Sequence, residues 1–306
     1  MSIRNTFIFK YVREYLSALH VAIDAEGEID RYYFQAFQQH VNLKEPSDLI
    51  EKIYWMELHS DTSLWTICAD KYRIREYIEE KGLLKYMPKL YGKWDKAGDV
   101  DFDSLPKSFV IKSNNGCATV KVVKDKSEIN PKSMRKTLWQ WLHIPFGYQN
   151  CQLHYTKIKP CIIAEELLDN DYSEISPASL VDFKVYCING EPQFIWVAYN
   201  RINMHVHVQC FDTNWNAKTE NMKNGMSHYV YDPNDKVFEK PACLEEMLDI
   251  ARIISAPFPQ LRADFYIVKG KPVIGEMTFT QGYGFLRQDV YKMLGKQINL
   301  DGLKIR

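Results

Sequence analysis

Nothing in this chain approaches the roughly 18 uninterrupted apolar residues of a membrane-crossing helix, and the apolar patch within Met1–Lys10 is too short and too broken for a secretory leader. A cytoplasmic protein with no integral membrane segment is the expectation. Net charge is missing as well: 39 lysines and arginines balance 39 aspartates and glutamates, so no global field draws the chain to nucleic acid or anionic lipid. Any anionic ligand has to be held by local charges. The seven cysteines, at 68, 117, 151, 161, 187, 210 and 243, include no Cys-x-x-Cys pair, which argues against zinc or a disulfide framework and for reduced, mostly buried thiols. Absent too are the Gly-x-x-x-x-Gly-Lys-Ser/Thr spacing of a Walker A loop and a Gly-x-Ser-x-Gly elbow. A covalent side-chain nucleophile is therefore not expected. Asp169-Asn-Asp171 lies in a polar connector rather than in a nucleotide-sugar βαβ unit, which speaks against a glycosyltransferase.

What is present is an ordinary globular composition, 46% apolar and 25% charged over 306 residues, enough for about two domains. Residues 1–68 read as a helical segment, with Tyr32, Phe34, Phe37 and Val41, then Leu49, Ile53, Trp55 and Leu58, at helical spacings. A further helical pattern opens at Asp70, a good N-cap, and stops at Gly82. From Pro106 the pattern changes to short β runs at 109–112 and 119–123, a helix over 131–142 and a strand over 161–166. A polar connector over 168–181 leads to strands at 182–188 and 192–199, joined by the hairpin dipeptide Asn189-Gly190. A helix over 243–254 precedes the last hairpin, while 200–240 shows no clear period. The fold class is α+β, with 69–168 and 169–306 as two lobes behind the helical segment.

The most informative segment is Arg262-Ala-Asp264-Phe-Tyr-Ile-Val-Lys-Gly270-Lys-Pro-Val-Ile-Gly-Glu276-Met-Thr278, two strands that each carry a carboxylate among apolar neighbours. A lone carboxylate in that setting costs several kcal/mol unless something pairs with it. A two-residue Lys269-Gly270 turn would place Asp264 opposite Gly275 and separate the carboxylates. A three-residue turn, Lys269-Gly270-Lys271, would place Asp264 opposite Glu276 and gather Arg262, Thr278 and Thr280 on that face. The second register leaves Ala263, Phe265, Ile267, Val273 and Met277 as a core stripe, and it is the preferred one. It describes a hard-cation site suited to Mg²⁺. The competing account is an Arg262–Asp264 ion pair beside a surface glutamate.

Lys112 ends an apolar strand just before Ser113-Asn-Asn-Gly-Cys-Ala118, a loop of small residues able to turn N–H groups toward polyphosphate. Lys184 repeats the arrangement within Asp182-Phe-Lys-Val-Tyr186, sharing a face with Asp182 and Tyr186. Of Glu165 and Glu166, at the end of a strand, one must face the less solvated side. His205 and His207 share a strand face but show no third ligand, so they read as polar surface or substrate-side residues.

Together with Ala69-Asp-Lys71-Tyr-Arg-Ile-Arg75, Ile163-Ala-Glu-Glu-Leu167 and Gly282-Tyr-Gly284, these stretches resemble, in order, the ATP-grasp superfamily and its TupA-like branch. That branch is associated with teichuronopeptide, capsule and other surface-polysaccharide biosynthesis. The resemblance implies an ATP-grasp fold of two α+β lobes clamping a nucleotide. It implies that Lys71, Lys112, Asn115 and Gly116 reach ATP phosphates, that Glu165 and Glu166 lie at adenine and ribose, and that Asp182 and Lys184 complete the nucleotide site. Asp264, Glu276 and Thr278 would hold Mg²⁺. Arg201 and Arg262, with Lys184, would grip a substrate carboxylate or its acyl phosphate, and Thr280, Gly282 and Gly284 would shape the acceptor side. The implied reaction is ATP-dependent carboxylate–amine ligation on a uronic-acid-containing sugar, with an amino acid or amine as the second substrate. A sugar kinase and a catalytically silent nucleotide-binding protein are the alternatives. Thr278 stands where many relatives carry Asn, and the phosphate loop has fewer glycines than such loops usually have.

Overall fold

Turn and cap chemistry sets most of the element boundaries that matter for function. In the computed structural model, which describes residues 7–202, 205–222, 229–232 and 234–303, the chain opens with helices α1 (Phe7–Ile23), α2 (Ala25–Phe37), α3 (Leu49–His59), α4 (Ser63–Ala69) and α5 (Ile74–Glu80). Asp48 starts α3 through a capping box with Glu51. Asp70 accepts from the Tyr72 and Arg73 amides in the turn before α5, and Gly82, at φ +70°, follows its end. The chain divides into two compact units, one of Met1–Tyr33, Asp61–Tyr77 and Pro88–Leu168, the other of Phe34–Ser60, Ile78–Met87 and Asp169–Arg306.

The first unit carries an antiparallel sheet in the order β1-β4-β2-β3, formed by β1 (Leu90–Trp94), β2 (Phe109–Ser113), β3 (Val120–Val123) and β4 (Ile162–Glu165). Helix α6 (Pro131–Leu142), opened by the Asn130 cap and Pro131, lays Leu138 on Phe109, Ile111, Ile162 and Ala164. With Phe109 and Ile111 fully buried on that side, Val110 and Lys112 must point from the other face of β2. A one-turn helix, α7 (Leu153–Thr156), precedes β4.

The second unit carries the sheet β10-β9-β5-β6-β7-β8, built from β5 (Asp182–Ile188), β6 (Glu191–Ile202), β7 (His205–Asp212), the short β8 (Tyr229–Val230), β9 (Gln260–Val268) and β10 (Lys271–Thr278). All pairings are antiparallel except β7 with β8. Helix α8 (Leu244–Ser255) packs on β5, β6 and β9. Helix α9 (Gln288–Lys296) meets α3, and it does so at Gly295, where a Cβ would stand 2.4 Å from the Asp48 carbonyl carbon. Asn189 and Gly190, both at positive φ, make the expected two-residue turn between β5 and β6.

The β9–β10 hairpin reaches the preferred pairing by another route. Val268 pairs with Lys271, so the turn is the two residues Lys269 and Gly270, at φ +52° and +71°, and not three. A bulge between Ile274 and Glu276 then shifts the register and brings Glu276 opposite Asp264. Gly275 is the extra residue: any Cβ there would lie 2.9 Å from the Tyr266 ring. The corrected register exchanges two side chains. Ile274, opposite Phe265, takes the core place expected for Val273, which sits half-buried opposite Tyr266.

Candidate functional site

In the first unit the chemistry gathers around Glu165, whose side chain is only 4% exposed. Lys112 pairs with one carboxylate oxygen and Arg75 donates to the other at 2.9 Å, while Arg75 also reaches the Pro88 carbonyl at 2.7 Å. Two cations meet the desolvation cost of one buried carboxylate and leave the cluster positive. Arg75 is a residue that spacing did not single out. It lies 90 positions from Glu165, and only the fold of α5 beside β4 joins them. Glu166 is exposed, and its amide donates to the Lys89 carbonyl.

The adjoining loop is stapled at several points. Ser113 and Thr119 share a hydroxyl hydrogen bond of 2.6 Å, closing the loop over Gly116, where a Cβ would meet the Thr119 hydroxyl at 2.3 Å. Lys71 donates through Nζ to the Gly116 carbonyl at 3.1 Å, and its amide donates to the Asn114 carbonyl. The Asn114 side chain donates to Asp70 and to the Lys159 carbonyl and accepts from the Cys161 amide. Burial raises the Asp70 carboxyl, and the bonds from Tyr72 and Asn114 only partly offset it. Asn115 and Gly116 are buried, whereas Cys117 is exposed at the loop's tip.

In the second unit the residues form two rows across three strands. Glu276, Asp264 and Lys184 stand side by side on β10, β9 and β5, and Thr278, Arg262 and Tyr186 form the next row. Arg262 grips Asp264 with two bonds, Nε to Oδ1 at 2.7 Å and a terminal nitrogen to Oδ2 at 2.8 Å, and also donates to the Thr278 hydroxyl at 3.1 Å. Lys184 donates to Asp264 Oδ2 at 2.7 Å and lies 3.6 Å from Asp182. Burial works to raise the Asp264 carboxyl, but the Arg262 and Lys184 charges outweigh it and hold the group below the usual carboxylate range. For Lys184 burial opposes the charge, yet Asp182 and Asp264 keep its ammonium above the ordinary value. The neighbouring Asp182 carboxylate, with burial, pushes the Tyr266 hydroxyl well up. Arg201 is half-exposed and 3.6 Å from Asp182. Beyond β10, Thr280 is buried, Gly282 has the Phe285 ring where a Cβ would stand, 2.6 Å from it, and Gly284 adopts φ +83°.

These residues fit a hard divalent cation in one respect and constrain it in another. Asp264 and Glu276 supply the two carboxylates that Mg²⁺ commonly takes, and Asp264 Oδ1 receives one donor, leaving a lone pair on that atom. The Thr278 hydroxyl already accepts one bond, from Arg262. Among the described residues no group of three or more His, Cys, Asp or Glu side chains is arranged to hold a metal. His207 instead faces Asp235 at 2.7 Å, beside Tyr199, and His205 is exposed.

A lysine-ended strand followed by a stapled loop in one α+β unit, and a carboxylate–cation grid on an antiparallel sheet in the other, define an ATP-grasp fold. The chain belongs to the TupA-like ATP-grasp family, whose model matches residues 51–299. No curated protein matches it. Among solved structures, the chain is similar to D-alanine–D-alanine ligase from Bacillus anthracis, at 18% identity over 75% of this chain and 64% of that one, with a TM-score of 0.45. It is similar to the D-alanine–D-alanine ligase of Helicobacter pylori at 12% identity, 83% and 67% coverage and a TM-score of 0.43. For the L-amino acid ligase of Bacillus licheniformis the values are 15%, 73%, 45% and 0.41. The chain thus spans less than two thirds of the length of the first of these structures.

Proposed function

We propose that this protein is an ATP-dependent carboxylate–amine ligase that activates a uronic-acid-containing sugar or polysaccharide precursor as an acyl phosphate and joins it to an amino acid or amine. The observation that carries the reading is the grid in which Asp264 holds Arg262 and Lys184 in place beside Glu276. Family membership supports it. In this reading Lys71 and Lys112, at the stapled loop, take the ATP phosphates, with Asn115 and Gly116 supplying the loop wall. Glu165 and Glu166 serve the adenine and ribose end, and Asp182 orients Lys184.

The substrate carboxylate attacks the γ-phosphorus and ADP leaves; the amine then adds to the acyl carbon and inorganic phosphate departs, giving the amide. Lys184 and Arg262 present fixed positive charge to the transferred phosphoryl oxygens, the largest electrostatic contribution expected in such a step. In this reading Arg201, 3.6 Å from Asp182, grips the incoming carboxylate, and Thr280, Gly282 and Gly284 border the acceptor. Asp264 and Glu276 would hold Mg²⁺, which would supply charge neutralisation to the phosphates, while Thr278 holds Arg262. Among the described residues no helix is long and apolar enough to cross a membrane, and the reaction is assigned to the cytoplasm, where ATP is available.

Incubation with ATP, Mg²⁺ and a panel of uronates and amines should release ADP only when both substrates are present. AMP release, or no release with any pair, sinks the ligase reading. A stable phosphorylated sugar formed without amine would mark a kinase. A second reading, a nucleotide-binding protein without turnover, rests on Thr278 standing where many ATP-grasp enzymes carry Asn; ATP binding with no ADP formation, unaltered by Asp264→Asn, would establish it.

A further inference from the structure

Helix α1 leaves a second apolar face to solvent. An amphipathic surface helix buries its apolar stripe and exposes its charges, but here Lys10, Glu14 and Ser17 share the side turned toward the protein with the half-buried Phe7, Ala18 and Val21, and Glu14 is almost fully buried. Outward stand Ile8, Val12, Tyr15, Leu16, Leu19 and Ile23, all exposed, with Ile8 at 72% and Ile23 at 84%. Six such side chains, each more than half bare on average, present on the order of 700 Å² of apolar surface, near the roughly 800 Å² per partner of a stable protein–protein interface. Patches of that size on a soluble surface mark contact sites.

The order of the exposed residues identifies the occupant. About a point between Tyr15 and Leu16 the stripe is a palindrome: Ile8 is as far from that point as Ile23, Val12 as Leu19, and Tyr15 as Leu16. Two copies of α1 laid antiparallel across a two-fold axis there would set apolar against apolar at each level and Tyr11 against His20. That is the self-complementarity an isologous contact demands. Charge agrees with it. The helix carries only Lys10, Arg13 and Glu14 as full charges, and none of them lies on the stripe. A helix built to rest on a lipid surface instead carries a Lys/Arg-rich polar face.

We propose that α1 is the dimerisation element of this protein and that its partner is α1 of a second copy, antiparallel about Tyr15–Leu16. In sedimentation equilibrium or light scattering the full chain should show twice the chain mass. Leu16→Glu with Leu19→Glu should reduce it to the monomer with an unchanged thermal unfolding curve. Disulfide trapping in a Cys117→Ser background reads the geometry by gain of signal. Ile8→Cys combined with Ile23→Cys should yield a covalent dimer, and Ile8→Cys alone should not, because its two copies would stand about 22 Å apart along the helix axis. The proposal is overturned by a monomer at every concentration tested, by self-trapping of Ile8→Cys alone, or by a monomer that floats with neutral or anionic phospholipid vesicles.

Discussion

Replacing the buried Asp264 by Asn removes one negative charge from between two half-buried cations while keeping the side chain's shape. The carboxylate accepts from Arg262 at 2.7 and 2.8 Å and from Lys184 at 2.7 Å. An amide can accept at one atom only, and its nitrogen would face a cation. Breaking a buried pair by removing one partner typically costs about 3–5 kcal/mol, because the remaining charge is left uncompensated. Here two cations remain, and Asp182, 3.6 Å from Lys184, relieves one of them in part. The expected loss is therefore about 3 kcal/mol, which lowers the melting temperature by about 6–12 °C for a cooperative unit of this size. The sign of the pH dependence follows from the depressed Asp264 value. Its stabilisation is fully present above the unfolded carboxylate pKa of about 3.9 and is lost as pH falls through the lower folded value. The wild-type and Asp264→Asn melting curves, measured by calorimetry or circular dichroism, should thus be far apart at neutral pH and converge in acid. Two results refute the reasoning: a melting temperature unchanged at pH 7, or a difference that stays constant down to acid. Glu276→Gln is the control. Its carboxylate is only half-buried, so the change should cost under about 1 kcal/mol yet abolish the Mg²⁺-dependent ADP release.

Gly295→Ala adds a methyl 2.4 Å from the Asp48 carbonyl carbon, a backbone atom that cannot swing away; the overpacking of about 3 kcal/mol outweighs the gain of roughly 1 kcal/mol in helix propensity, and urea titration should show a net loss of about 2 kcal/mol. Native alkylation at pH 8 should modify Cys117, the exposed cysteine, and spare the six buried ones, among which burial pushes Cys161, Cys187 and Cys210 up to about 12. ATP with Mg²⁺ should slow that labelling at least severalfold if the loop from Ser113 to Thr119 takes phosphate, and mass spectrometry of tryptic peptides reads it directly.

How much of this was legible in advance varies with the range over which each feature is determined. Local chemistry was readable: the Asn130–Pro131 helix start and the Asn189-Gly190 turn each depend on a few neighbouring residues, whereas Asp70, expected as a helix N-cap, closes α4 and holds the turn before α5, which starts only at Ile74. The β9–β10 pairing was right in its outcome and wrong in its cause. Parity correctly demanded that Asp264 meet Glu276, but the missing residue was placed in the turn. The sequence did hold the signal: Lys-Gly suits a two-residue turn, and a glycine inside a strand, as at 275, marks a bulge. Arg75 was beyond reach for a different reason, since its pairing with Glu165 closes a 90-residue separation that no spacing rule spans. The short strand β1, Leu-Tyr-Gly-Lys-Trp, was missed because all five residues are half-buried and show no alternation.

The ion pairs at Asp264 do not exclude the cation site proposed at Asp264 and Glu276. If the proposed phosphoryl transfer takes place here, its pair of cations has to be held still before the anionic ligand arrives, since reorganising them during the reaction would add to the barrier. Asp264 does this for Arg262 and Lys184 through three short bonds, and Thr278 adds a fourth to Arg262. On this view a threonine at 278 is a positioning residue for the arginine and not a weakened metal ligand. Thr278→Val should then weaken the response to phosphate-bearing substrate, raising KM for ATP. Thr278→Asn, which restores a better oxygen donor, should not raise kcat. A gain in kcat with Asn, accompanied by a steeper Mg²⁺ dependence, would return Thr278 to the metal's shell and refute the positioning role.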